Sequence, residues 1–234
     1  MAKIRINGVI IPNDYKWIYD LFEMDATCPA DIGKIMDTLS GEEIEVEINS
    51  PGGDVYSGSE IYTALMGYQG KVTVKIVGVA ASAASVIAMA GRPGMISPTA
   101  QIMIHNISEM AYGDYRSFEQ EAEVLKNYNI SIANAYRLKT GLTQEKLLEL
   151  MSAGVENRGT WLNAQQAKEM GFVDEIMFDT GNRLVASQAI MLPPEVINKI
   201  RNLIQKPANR DTEAKSLLQC RLNFLKLKGV QIDD

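Results

Sequence analysis

Two alternating apolar runs, separated by a helical stretch and flanked by glycine-bearing turns, constrain this chain more than any other feature. Ile44-Glu45-Val46-Glu47-Ile48 and Val72-Thr73-Val74-Lys75-Ile76-Val77 switch between apolar and polar residues with the period of two expected of a half-buried strand. Between them, Val55 to Tyr68 sets Ile61, Leu65 and Tyr68 at helical spacing. A strand, a helix and a second strand in that order predict a parallel sheet with a crossover helix, and so an α/β fold. A second unit follows, with Ser82 to Met89 as a helix of small residues and Met95-Ile96 and Ile102-Met103-Ile104 as short strands. Upstream, Lys3 to Ile11 reads as a strand. Tyr15 to Met24 and Pro29 to Leu39 read as helices, Pro29 suiting a first-turn position.

Downstream, Arg116 to Lys139 places Phe118, Ala122, Leu125, Ile132 and Tyr136 on one helical face and ends at Gly141, a natural cap. The stretch is long for a helix of a compact domain, so it is either a projecting interaction element or a broken pair of helices. Thr143 to Met151 and Ala164 to Met170, the latter capped by Asn163, predict two more helices, and Phe172 to Ile176 a last strand. Composition shifts near Leu192-Pro193-Pro194. Two amphipathic patterns follow, one through Val196, Ile197, Ile200, Leu203 and Ile204 and one through Leu218, Leu222 and Leu225. Residues 195–234 carry 8 basic and 5 acidic side chains, against 15 and 24 in the rest. The reading is a body over 1–185 and a helical, weakly basic extension over 186–234.

What the composition excludes narrows the chemistry. A single histidine, His105, rules out any zinc site built on two histidines, and Cys28 and Cys220 are too isolated for a disulfide framework or a thiolate metal site. No metal and no organic cofactor is expected. The net charge of −6 disfavours nucleic acid. The start of the chain lacks the apolar run of a signal peptide, and Ile76 to Gly91 is too short and too rich in Ala, Ser and Gly to span a bilayer, so a cytoplasmic location is expected.

Three segments can carry chemistry. Asn49-Ser50-Pro51-Gly52-Gly53-Asp54 lies directly after a strand and before a helix. Its glycines allow positive φ and close approach of the backbone, and the N–H groups there suit an oxyanion, although an ordinary tight turn has the same composition. Gly78-Val79-Ala80-Ala81-Ser82-Ala83-Ala84-Ser85 sits at the next strand-to-helix turn. There Ser82 is either a packing residue or a reachable hydroxyl, with the Ala83 N–H as an oxyanion donor. Both turns fall at the carboxyl edge of the predicted sheet, where α/β folds place their sites. His105 ends the strand before Asn106. It is either structural or the base that takes the Ser82 proton.

In this order, Ile48-Asn49-Ser50-Pro51-Gly52-Gly53, Gly78-Val79-Ala80-Ala81-Ser82, Met103-Ile104-His105, Trp161-Leu162-Asn163-Ala164 and Gly171-Phe172-Val173-Asp174 resemble ClpP, the proteolytic subunit of the Clp protease, over about residues 1 to 180. The resemblance implies a crotonase-like α/β fold of repeated ββα or βαβ units with a long handle helix over Arg116 to Lys139. It implies a serine endopeptidase with Ser82 as nucleophile, His105 as base and the Gly53 and Ala83 N–H groups as oxyanion hole. It also implies a substrate peptide added as a strand along Ile107 to Tyr115, and a homo-oligomer of stacked rings. Two departures stand out. The family's acid falls at Gly159 here, which moves its role to Glu156, with Asn157 as the alternative. The chain also begins almost at its first strand, without the segment that in the family meets an ATPase ring. That feature and the C-terminal extension are more similar to the ClpP-related head maturation proteases of phages and prophages. The partners implied are a polypeptide substrate, either capsid or scaffold protein or one fed by an ATPase unfoldase, with no nucleic acid and no membrane. The location implied is the host cytoplasm if the chain is phage-encoded. Two rival functions remain: a catalytically impaired assembly protein, and a crotonase-type acyl-CoA hydratase or hydrolase.

Overall fold

In the computed structural model, residues 1–154 and 158–179 are described, all within the first of the two units into which the chain divides, Met1–Asn182. The proposed extension over 186–234 lies outside the described residues.

The alternating runs become the centre of a parallel sheet. Strands β1 (Ala2–Ile10), β3 (Ile44–Gly53) and β4 (Val72–Ala81) lie side by side, with Ile4 opposite Val46 and Val46 opposite Val74. The short β2 (Ala26–Thr27) pairs with the end of β1, and β5 (Gly94–Ile96) and β8 (Glu175–Ile176) extend the other side, giving the order β2-β1-β3-β4-β5-β8. Because side chains alternate, Ile4, Ile6, Ile44, Val46, Ile48, Val74 and Ile76 all point into one apolar layer and are fully buried. Each such side chain contributes about 1.5–3 kcal/mol by leaving water. The opposite face carries the polar alternates, and Lys3–Glu47 and Lys75–Glu45 close at 2.6 Å across neighbouring strands.

Strand β4 changes partner along its length. Its first half pairs with β5 at Val74 to Ile76, and its second half pairs with β6 (Gln101–Ile104) at Val79 to Ala81. Strand β6 then takes β7 (Thr160–Asn163) on its other edge, the sole antiparallel pairing of the described sheet. The β3–β4 register slips just after Ile48, where the Asn49 side chain fills the gap by accepting from the Val79 N–H at 3.2 Å.

The helices fill the apolar side. Helices α2 (Pro29–Met36) and α3 (Val55–Gly67) follow β2 and β3, and α4 (Ala83–Ala88) follows β4. Every residue of α4 is buried, which explains its composition: a Cβ on Gly58 of α3 would stand 2.9 Å from the Ala83 Cβ, so only small residues allow this contact. Helix α5 (Tyr115–Thr140) is a single continuous helix. Asp114 caps its start by accepting from the N–H groups of Arg116 and Ser117, and Gly141 ends it at φ 73°. Its buried residues, Ile132, Ala133, Ala135 and Tyr136, all lie in the last turns, while Tyr115 and Phe118 are exposed at its start. Helix α6 (Gln144–Ser152) and helix α7 (Ala164–Glu169) follow, capped by Thr143 and Asn163.

Three expected elements are shorter than the pattern suggests. The helix expected over Pro29 to Leu39 ends at Met36, where the Thr38 and Leu39 N–H groups tighten onto the Ile35 and Met36 carbonyls. The helix expected over Tyr15 to Met24 is a 3-10 turn (Asn13–Tyr15) followed by α1 (Lys16–Leu21), which buries no residue and so has no packing to extend it. The strand expected over Phe172 to Ile176 is reduced to β8. The Phe172 and Val173 N–H groups turn back to the Ala167 carbonyl, and both side chains enter the core instead.

Candidate active site

The change of partner in β4 brings the chemistry together. Ser82 follows the last residue of β4, and His105 follows the last residue of β6; with Ala81 opposite Met103, the two side chains emerge beside each other. The His105 Nε2 lies 2.8 Å from the Ser82 Oγ. The Ser82 backbone holds φ 53° and ψ −126°, a conformation that L-residues adopt at a cost of about 1–3 kcal/mol. Hydrogen bonds on both sides of the residue hold it there. The Ser82 N–H donates to the Met103 carbonyl at 2.9 Å, and the Ser82 carbonyl accepts from the Ser85 N–H at 2.9 Å and the Ser85 Oγ at 2.6 Å.

The glycine turn after β3 faces this elbow. Gly52 adopts φ 94°, and a Cβ there would lie 2.7 Å from the Ser82 Cβ and 2.6 Å from the Ala81 carbonyl oxygen, so the close approach depends on glycine. Gly53 is opposite Ile10, and the Ile10 carbonyl accepts from the Asp54 N–H. In a parallel ladder the Gly53 N–H therefore points away from β1. Ala83 is the first residue of α4, and its N–H belongs to the first turn, where no intrahelical acceptor exists. Gly53, Ser82, Ala83 and His105 line one pocket of about 80 Å³, with Val55, Ile107 and Tyr136 among its apolar walls. A second pocket of about 260 Å³ continues from Gly53 and Ile107 along Ser108 and Glu109 to Tyr128 of α5.

His105 is half-buried, and burial pushes its imidazole below the ordinary value, which favours the neutral ring. With its proton on Nδ1, Nε2 accepts from the Ser82 hydroxyl. Among the described residues no side chain is hydrogen-bonded to Nδ1. Glu156 and Asn157, the residues expected to orient the ring, lie outside the described residues. Gly159, the position at which the resemblance puts the acid, has φ 83°. A Cβ there would run into the Ile104 carbonyl oxygen and stand 2.5 Å from the His105 Cβ. No side chain fits at 159, which is a steric reason for the departure.

Sequence reasoning missed Tyr136 and Ser85. Tyr136 is fully buried, and its OH lies 2.8 Å from the Ser85 Oγ beneath the Ser82 turn. The available signal was a second serine three residues after Ser82, in a helix otherwise made of apolar and small residues. Among the described residues there is no cluster of His, Cys, Asp and Glu able to hold a metal, and no helix is long and apolar enough to cross a membrane.

Fold and site together define a mixed α/β protein of the ClpP type, with a serine–histidine pair at the carboxyl edge of a parallel sheet. The Clp protease family model matches residues 34–180, and the chain belongs to that family. It is 33% identical over 141 residues to an ATP-dependent Clp protease proteolytic subunit of Deinococcus radiodurans, covering 59% of this chain and 67% of that protein. It is 32% identical over 139 residues to the subunit of the same name from Bacteroides fragilis, covering 58% and 65%. To that of Chlorella vulgaris it is 31% identical over 164 residues, covering 68% and 79%. The chain thus spans about two thirds of the length of the first two of these relatives.

Proposed function

We propose that the chain is a serine endopeptidase of the ClpP type. The observation that carries this reading is the 2.8 Å contact between Ser82 Oγ and His105 Nε2, set between two strand-to-helix turns that supply N–H donors. The Ser82 Oγ attacks the scissile carbonyl carbon while its proton passes to Nε2, and the carbonyl electron pair becomes the oxyanion held by the Gly53 and Ala83 N–H groups. Collapse of the adduct breaks the C–N bond, and the imidazolium gives its proton to the leaving amine. A water then attacks the acyl-serine, His105 takes its proton, and the acid leaves with Ser82 restored. Losing one oxyanion donor typically lowers such rates by about 100- to 1000-fold.

The substrate class is a polypeptide, added along Ile107 to Tyr115, where the second pocket continues from the first. The assembly is a ring-shaped homo-oligomer. In support, the first turns of α5 carry exposed Tyr115 and Phe118, and Met110 and Tyr112 before them are exposed as well. The finer reading, cleavage of capsid or scaffold protein without an unfoldase, predicts turnover of an unstructured polypeptide with no nucleotide present.

A fluorescent fluorophosphonate tests the nucleophile. Labelling of the wild type that disappears in Ser82→Ala is the expected result. Labelling that persists removes Ser82 from the chemistry, and an unlabelled wild type favours the assembly protein. Turnover of an acyl-CoA thioester without peptide cleavage would select the hydratase or hydrolase reading.

A further inference from the structure

The Ser82 carbonyl and the Ala83 N–H are two ends of one peptide group. Whatever grips that carbonyl also aims the N–H, and polarises it, because drawing electron density toward the oxygen makes the attached N–H a stronger donor. The carbonyl is gripped by the Ser85 Oγ at 2.6 Å, and the Ser85 Oγ lies 2.8 Å from the Tyr136 OH. Ser85 has one hydroxyl proton, and the Ser82 carbonyl can only accept it. The Tyr136 phenol must therefore be the donor to Ser85, and the direction of the chain is fixed: Tyr136 O–H to Ser85 O–H to Ser82 C=O. Both side chains are fully buried, so no water competes for these bonds. Burial also raises the phenol well above its ordinary value, which keeps Tyr136 a donor across the working pH range.

We propose that Tyr136 and Ser85 are positioning residues that hold and polarise the Ser82–Ala83 peptide, so that the last turns of α5 set the strength of the Ala83 oxyanion donor. Neither residue touches the reacting atoms through this chain. Their effect is on the transition state, where the oxyanion forms, and not on binding of the ground state. The inference rests on the peptidase reading, because it needs Ala83 to serve as the oxyanion donor.

The test uses the full chain with a fluorophosphonate probe, resolving the saturating labelling rate from the concentration that gives half of it. Tyr136→Phe removes one hydroxyl from the chain, and Ser85→Ala removes the link itself. Each is expected to lower the saturating rate by about 2- to 13-fold, the worth of one ordinary hydrogen bond, with the half-saturating concentration unchanged. The double variant should be no slower than Ser85→Ala alone, since the two act in series. The acidic limb of the pH profile should stay in place, because His105 is untouched. A purely structural role would lower the melting temperature and leave the saturating rate within twofold, and that result overturns the proposal; so does a double variant whose losses simply multiply. Absence of labelling in the wild type, in contrast, defeats the peptidase reading itself.

Discussion

Supplying a carboxylate at Gly159, where the resemblance puts the acid, should damage the protein rather than improve it. In Gly159→Asp a Cβ must occupy space 2.5 Å from the His105 Cβ and 2.8 Å from its Cα, where ordinary contact begins at 3.4 Å. The histidine strand or the loop has to move by roughly 1 Å, and misplacement on that scale costs on the order of 100-fold in rate. The residue is also held at φ 83°, which adds about 1–2 kcal/mol of backbone strain for any L-residue. Together with the collision, a loss of about 2–4 kcal/mol is expected, or a melting temperature lower by about 4–16 °C. Fluorophosphonate labelling rates and thermal unfolding of Gly159→Asp and Gly159→Ala measure both effects. The two variants should fall together, since the fault is the Cβ and not the carboxylate. Labelling by Gly159→Asp that equals or exceeds wild type, with Gly159→Ala impaired, would show that a carboxylate can reach His105 from this position, and would refute the steric reasoning.

The remaining predictions follow from other contacts. Because burial holds the His105 imidazole below 6.5, the acidic limb of the labelling rate should fall below pH 6.5: the neutral base is kept as pH drops past the ordinary value and lost only when the folded-state value is crossed. A limb centred above 6.5 would contradict this. Gly52→Ala should abolish labelling, since its Cβ meets the Ser82 Cβ at 2.7 Å; a variant that labels normally would show that the two turns are not in contact. Asp54→Ala removes the carboxylate that accepts from the Ser57 N–H at 2.7 Å at the start of α3. It should lower stability by about 1 kcal/mol in chemical denaturation while a labelling signal persists.

The sheet and the site differ in how far the sequence discloses them. Alternation at Ile44 to Ile48 and at Val72 to Val77 marks the central strands because one face is apolar and the other charged. The same strands run on through Ser50 to Gly53 and through Gly78 to Ala81, which composition assigns to turns. There backbone pairing with β1 and β6 and the Asn49 amide hold the extended form, and no side-chain period records it. Glycine spacing places Gly53 and Ser82 at one sheet edge, but their meeting with His105 depends on β4 exchanging β5 for β6 halfway along, a tertiary event. Strand β7 shows the same limit: Trp161-Leu162-Asn163 reads as a motif, and becomes a strand only by pairing with β6. The contact of Gly159 with His105 and the buried pair Ser85–Tyr136, 51 residues apart, are likewise products of packing.

The solitary imidazole has a practical consequence. His105 is the one histidine among 234 residues, and it sits against the Ser82 hydroxyl. In proton NMR its ring C–H resonances belong to one site without assignment. Every symmetric copy in an oligomer would add to the same line. Labelling the chain with histidine carrying carbon-13 at the ring Cε1 alone would therefore give a one-line spectrum of the Ser82–His105 pair, in which titration, inhibitor adducts and the response to Tyr136→Phe are each read from that line.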